Sequence, residues 1–143
     1  MLNSKNNVNP FDNFKPDIPT GEELRPGTEL FDQLEEAGLK ELPKLAFVLI
    51  AGGLGERLGY TSGIKIDLPV TIIEDNFCYL KYYIDMIKAC EDRALLVDSS
   101  LKKGEFYIPL AIMVSSDTEA KTIELLEKNN YFGLKKESVT LVK

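Results

Sequence analysis

The sequence predicts an α/β protein built on a partial doubly wound, mainly parallel sheet. Three observations carry that reading. Leu45–Ala51, LAFVLIA, is apolar at every position, the pattern of a central parallel strand covered on both faces. A second such run, IPLAIMV, occupies Ile108–Val114 after a stretch of helical periodicity. The resulting order of strand, loop, helix, strand, helix and strand is that of right-handed βαβ units.

Each element has its own local reason. Residues 1–43 read as an N-terminal arm, first asparagine- and proline-rich extended chain with Phe11 and Phe14 as anchors, then a helix in GTELFDQLEEAGLKEL. That helix turns Leu30, Phe31, Leu34, Ala37 and Leu39 toward one face, to pack on the rest of the chain, and Gly38 or Pro43 ends it. Residues 44–143 are the sheet domain. After its first strand and a glycine loop, NFCYLKYYIDMIKAC carries Phe77, Leu80, Tyr83, Ile84 and Ile87 at helical spacing, so these aromatics are expected in the core. DSSLKKGEFY is a surface loop, and IPLAIMV is the second buried strand. The stretch SSDTEAKTIELLEKNNYFG is a helix opened by a capping box from Ser116 to Glu119. SVTLV is a last strand, running out to Lys143.

Composition narrows the functions. With 143 residues, 44% hydrophobic and 28% charged, the chain has the make-up of one ordinary globular domain. A net charge of -6 argues against a nucleic-acid partner, which would need a basic face. No apolar run approaches the roughly 20 residues of a membrane helix, and the first residues lack a signal-peptide core, so no membrane contact and a cytoplasmic location are expected. Cys78 and Cys90, too few for a disulfide framework, read as reduced packing residues. The absence of histidine excludes Ser-His-Asp and Cys-His nucleophiles and histidine-ligated metals within these residues. Lysine, arginine, carboxylates and backbone must do any chemistry.

The stretch FVLIAGGLGERLGYTSGIKIDLP, Phe47–Pro69, concentrates that chemistry. Glycines at a strand's carboxyl end let a ligand approach unpaired backbone N–H groups, and Arg57 and Lys65 add fixed positive charge. A Walker loop fails on spacing, because Gly59 precedes Tyr60 and Lys65 precedes Ile66, leaving no hydroxyl for magnesium. A dinucleotide fingerprint is one residue out, since Gly53, Gly55 and Gly59 give Gly-x-Gly-x-x-x-Gly; with Glu74 and Asp75 about 20 residues on, that reading is weakened but open.

The third pattern, AGGLGERLG with a downstream lysine and Leu-Pro, resembles the sugar-nucleotide pyrophosphorylases, most of all the UDP-sugar pyrophosphorylase branch (UTP-monosaccharide-1-phosphate uridylyltransferases). NPFDNFKPDIPTGE, EEAG, GIKIDLP, FCYLKYYI, DTEAKT, LLEKNNYFGL and VTLVK fall in the same order as in that family, so the resemblance covers nearly the whole chain. Two departures stand out. Met113, Val114, Ser115, Ser116 and Asp117 occupy the place of a Met-Thr-Ser-Asp-Asp stretch, losing a hydroxyl at its second position. Thr61 and Ser62 lengthen the link to Lys65.

The resemblance implies a Rossmann-like, GT-A-like nucleotidyltransferase fold, with residues 44–143 the N-terminal part of its catalytic domain. It implies the reaction of UTP with a sugar 1-phosphate to give a UDP-sugar and pyrophosphate. Ala51, Gly52 and Gly53 would meet the uracil edge, Leu54, Gly55, Glu56 and Gly59 would curl the loop beneath the triphosphate, and Arg57 and Lys65 would be the catalytic cations. Mg2+ would bridge the phosphates on ligands beyond Lys143, where most of the sugar pocket would also lie. The chain alone is therefore expected to be catalytically silent and prone to self-association. Ser115, Ser116 and Asp117 read as helix-cap residues ahead of any metal role for Asp117. The alternatives are a UTP-glucose-1-phosphate uridylyltransferase, a UDP-N-acetylhexosamine pyrophosphorylase, a non-catalytic nucleotide-binding module and a dinucleotide-binding oxidoreductase fragment.

Overall fold

A computed structural model describes residues 14–60 and 63–143; Phe11, Thr61, Ser62 and the Arg57 side chain lie outside the described parts. The chain divides into two compact units, Met1–Asp32 and Gln33–Lys143. In the first, residues 14–25 carry no regular structure. Helix α1, Glu29–Glu41, starts where the Phe31 N–H donates to the Thr28 hydroxyl at 3.3 Å. It runs through Gly38 and gives way at Leu42–Lys44 to a 3-10 turn with Pro43 in its first positions. None of its residues is buried, and Leu30 and Leu34 stay about half exposed, so the apolar stripe is real but open.

The second unit holds a three-stranded parallel sheet in the order β1-β2-β3, with β1 Phe47–Ile50, β2 Leu110–Met113 and β3 Val139–Val142. Phe47, Leu110 and Val139 stand side by side in register, as do Leu49, Ile112 and Leu141. These six side chains form one face of the sheet and join a core with Leu80, Ile84 and Ile87 of α2, Tyr79–Val97, and Leu126 of α3, Glu119–Lys128. Two right-handed crossovers that advance in the same direction place both helices on that one face. The opposite face keeps Val48 74% and Ile50 75% exposed.

Two expectations are corrected by the structure. β1 pairs with β2 and, within the described sheet, is covered on one face only, where the sequence of Leu45–Ala51 predicts cover on both. Its every-position apolar run satisfies one face through Phe47 and Leu49 and leaves the other bare. The capping box from Ser116 to Glu119 is also not made: the Ser115 carbonyl accepts the N–H groups of both Thr118 and Glu119, which moves the cap to Thr118. The buried Thr118 hydroxyl accepts the Ser115 N–H at 3.0 Å instead.

Other helical expectations hold with changed boundaries, but Phe77, which precedes α2, and Tyr83 are half-buried and lie outside the core cluster. α2 extends to Val97, where the Asp98 carboxylate takes the Ser100 N–H and closes the turn. Its Glu91 carboxylate accepts the Ile108 N–H at 2.8 Å and so fixes the approach to β2. α3 stops at Lys128, short of the expected Gly133, because Asn130, Tyr131, Phe132 and Gly133 all take positive φ. Cys78 lies in the core and Cys90 against it, both unpaired, and burial raises the Cys78 thiol pKa.

Candidate functional site

The site is built where β1 ends. The Ala51 N–H makes the last rung, to the Met113 carbonyl at 2.7 Å, and Ala51 is buried. The next carbonyl, of Gly52, accepts the Ser115 hydroxyl at 3.2 Å, so the segment after β2 holds the start of the loop. The loop then doubles back. Gly53 accepts the Lys65 N–H at 3.3 Å and the Gly55 N–H donates to the Gly63 carbonyl at 3.3 Å, which sets Leu54 against Ile64 as an antiparallel bridge. Between these arms Glu56–Leu58 form a single 3-10 turn, closed by Gly59 at φ 77°, a conformation that favours glycine.

This path leaves donors over. The N–H groups of Gly52, Gly53 and Leu54 meet no acceptor among the described residues. Unbonded backbone N–H groups at the carboxyl end of a strand are available to an anionic ligand. Lys65 lies across it: its Cε and Nζ stand 3.2 and 3.3 Å from where a Cβ on Gly53 would be. The ammonium group pairs with no described carboxylate. Asp67, its nearest acidic neighbour in sequence, instead accepts the Tyr60 hydroxyl at 3.2 Å. That contact raises the Tyr60 pKa, chiefly through the negative charge of Asp67, so the phenol stays protonated at neutral pH.

Lys65 also lines a cavity of about 270 Å³ with Leu49, Ile50, Leu58, Tyr79 and Tyr83. A larger cavity, about 520 Å³, lies elsewhere along the loop, beside Tyr60, Gly63, Asp67 and α3, and Lys65 is not part of its lining. The smaller one borders Lys65, and neither cavity is lined by Gly52, Gly53 or Leu54.

The structure thus gathers Gly52, Gly53, Leu54 and Lys65 at one spot. Gly55 and Gly59 shape the turn, and the Glu56 side chain is exposed. Arg57 has its backbone in the 3-10 turn. Sequence reasoning missed Tyr60, Gly63 and Ser115. An aromatic flanked by glycines on both sides was the available signal for the first two. Among the described residues no group of three or more His, Cys, Asp and Glu gathers as a metal centre. No described helix is long and apolar enough to cross a membrane.

Comparison with known proteins adds lineage to this geometry. The family model for UTP--glucose-1-phosphate uridylyltransferase matches residues 1–142. UDP-sugar pyrophosphorylase of Arabidopsis thaliana is 44% identical over 143 residues, and that of Oryza sativa subsp. indica 46% over 145. Each match takes in 100% of this chain but 23% of the relative, so the chain spans about a quarter of the length of these proteins. Among solved structures, the uridine diphosphate N-acetylglucosamine pyrophosphorylase from Trypanosoma brucei, in complex with inhibitor, superposes with a TM-score of 0.68 at 28% identity, over 77% of this chain and 21% of that one. The expected nucleotidyltransferase fold and the resemblance to UDP-sugar pyrophosphorylases both hold. With the match running through the glycine loop, its lysine turn and all three strands, the chain belongs to the UTP--glucose-1-phosphate uridylyltransferase family.

Proposed function

We propose that residues 44–143 form the UTP-binding part of a uridylyltransferase that converts UTP and a sugar 1-phosphate to a UDP-sugar and pyrophosphate. One observation carries this reading: at Gly52–Leu54 three N–H groups meet no acceptor among the described residues, and the Lys65 side chain, with no described carboxylate partner, lies against Gly53. In the reaction an oxygen of the sugar phosphate attacks the α-phosphorus in line, and the bond from that phosphorus to the pyrophosphate oxygen breaks. No covalent enzyme intermediate is needed. Positioning and charge cancellation do the work, which are tasks for backbone donors and a mobile point cation. Ala51–Gly53 would present backbone to uracil, and the Arg57 fork would take two phosphate oxygens. Magnesium, when bound, would neutralise phosphate charge on ligands outside the described residues. The two unpaired cysteines support a reducing, cytoplasmic setting.

UTP is expected to bind this chain more tightly than ATP in calorimetric titrations with magnesium, and to raise its melting temperature where NAD does not. Main-chain groups of Ala51–Gly53 would match the hydrogen-bonding edge of uracil and not that of adenine. Equal or tighter ATP binding would overturn the reading, and protection by NAD would favour a dinucleotide site.

The bare outer face of the sheet supports self-association as part of the same reading. Val48 is exposed on a short edge strand, a template for pairing with another chain. Light scattering should show the mass rising with concentration and Val48→Lys holding it at the monomer. A concentration-independent monomer in the unmodified chain would end this idea.

A further inference from the structure

We propose that Tyr60 is a positioning residue of the triphosphate site, a brace that fixes the Lys65 ammonium relative to the loop's free N–H groups. The inference rests on the uridylyltransferase reading and adds to it a residue for which neither loop pattern nor charge gives a role.

The ring fills the inside of the loop. A Cβ on Gly63 would stand 1.6 Å from the Tyr60 Cε1, and one on Gly55 2.8 Å from the Tyr60 Cβ. Both arms therefore approach the ring as only glycine backbone can. The far end of the same side chain donates its hydroxyl to Asp67 at 3.2 Å, and Asp67 closes the 3-10 turn that begins at Lys65. One stiff side chain, with two rotatable angles, thus ties the glycine loop to the lysine turn.

The backbone alone holds these parts weakly. The two rungs between the arms, Lys65 to Gly53 and Gly55 to Gly63, are both 3.3 Å long, beyond the usual 2.7–3.2 Å of a good N–H···O bond. Ile64 and Ile66 seat the lysine turn in the core, and the Tyr60 to Asp67 contact adds the side-chain tie between that turn and the glycine loop. A ligand that touches only the loop would feel little of this, whereas a chain of three phosphates must meet loop donors and ammonium together. The brace therefore serves affinity for the outer phosphates and not for the base.

The test is calorimetric titration of UTP and UMP into the 143-residue chain and its Tyr60→Phe, Asp67→Ala and Asp67→Asn variants, with melting temperatures alongside. Tyr60→Phe and Asp67→Ala should each weaken UTP by about five- to tenfold, the scale of one net hydrogen bond, and leave UMP within about twofold. Asp67→Asn removes the charge but keeps an acceptor, so it should retain the wild-type ratio of UTP to UMP affinity. A parallel loss for both nucleotides would mean a merely structural tyrosine and overturn the proposal, as would an unchanged ratio in Tyr60→Phe. Should Tyr60→Phe not fold, the contrast between Asp67→Ala and Asp67→Asn decides: an equal ratio in the two overturns it. Failure of the unmodified chain to bind UTP would be seen first, and would overturn the uridylyltransferase reading and this inference together.

Discussion

Replacing Lys65 with alanine is expected to lower turnover by on the order of 10²–10³, the usual cost of removing one electrostatic donor from a reacting charge. The reason lies in what surrounds the lysine. Its ammonium has no described carboxylate partner, and the missing side chain of Gly53 gives it room across the loop. Asp67, which could have neutralised it, is held by Tyr60. A compact cation with no described partner, beside N–H groups that meet no described acceptor, is most useful when charge on the phosphates is being redistributed, so kcat should fall more than UTP affinity. The measurement calls for a chimera joining residues 1–143 to the remaining length of the Arabidopsis thaliana relative, assayed for UDP-glucose from UTP and glucose 1-phosphate. Turnover within about threefold of the parent, on a scale where about 1.36 kcal/mol is tenfold, would remove Lys65 from the chemistry. Lys65→Arg should recover part of the loss. It keeps the charge, but the fork is broad for a space bounded at 3.2 Å by Gly53.

The parts of this architecture that local chemistry dictates were legible in the sequence. The apolar runs at Leu45–Ala51 and Ile108–Val114 are strands, and the spacing of Leu80, Ile84 and Ile87 is that of a helix that buries them. The glycine loop bends where its glycines fall. That β1 lies beside β2 follows from the right-handed βαβ reading, but an apolar run alone reports how well a strand tolerates burial and not how many partners it has. β1 and β2 read alike, yet β2 has a partner on each side. The cap of α3 was misplaced within Ser115–Thr118 because every residue there but one is a hydroxyl and the other is Asp117, all competent to cap. The early end of α3 rests on left-handed backbone at Tyr131 and Phe132, which aromatic side chains do not announce. The Tyr60 to Asp67 contact spans seven residues through a doubled-back loop, so no helical or strand period could have suggested it.

Gly63→Ala should be the most damaging single methyl in the loop. Its Cβ would fall 1.6 Å from the Tyr60 Cε1 and 2.5 Å from Cδ1, an overlap that no small adjustment relieves. The ring has little freedom to yield, since its near end lies against Gly55 and its hydroxyl is held by Asp67. Either the ring leaves or the arms separate. In both cases the Gly55 to Gly63 rung is lost and the lysine turn drifts from the loop. Overpacking of this kind costs about 1–3 kcal/mol, which for a chain of this size lowers the melting temperature by roughly 3–12 °C. UTP binding should fall further than Tyr60→Phe lowers it, because ring and hydroxyl are displaced together. Gly59→Ala is the contrast: nothing stands within 4 Å of its would-be Cβ, and only the φ of 77° penalises it. Its cost is the roughly 1–2 kcal/mol of left-handed backbone, with the ring left in place. Adding Tyr60→Ala to Gly63→Ala removes the overlap and should restore most of the lost stability while leaving triphosphate binding weak. Scanning calorimetry of these variants decides the matter. A Gly63→Ala protein that melts with the unmodified chain and binds UTP as well would show that the ring does not pack between the arms, and with it would go the brace that sets Lys65.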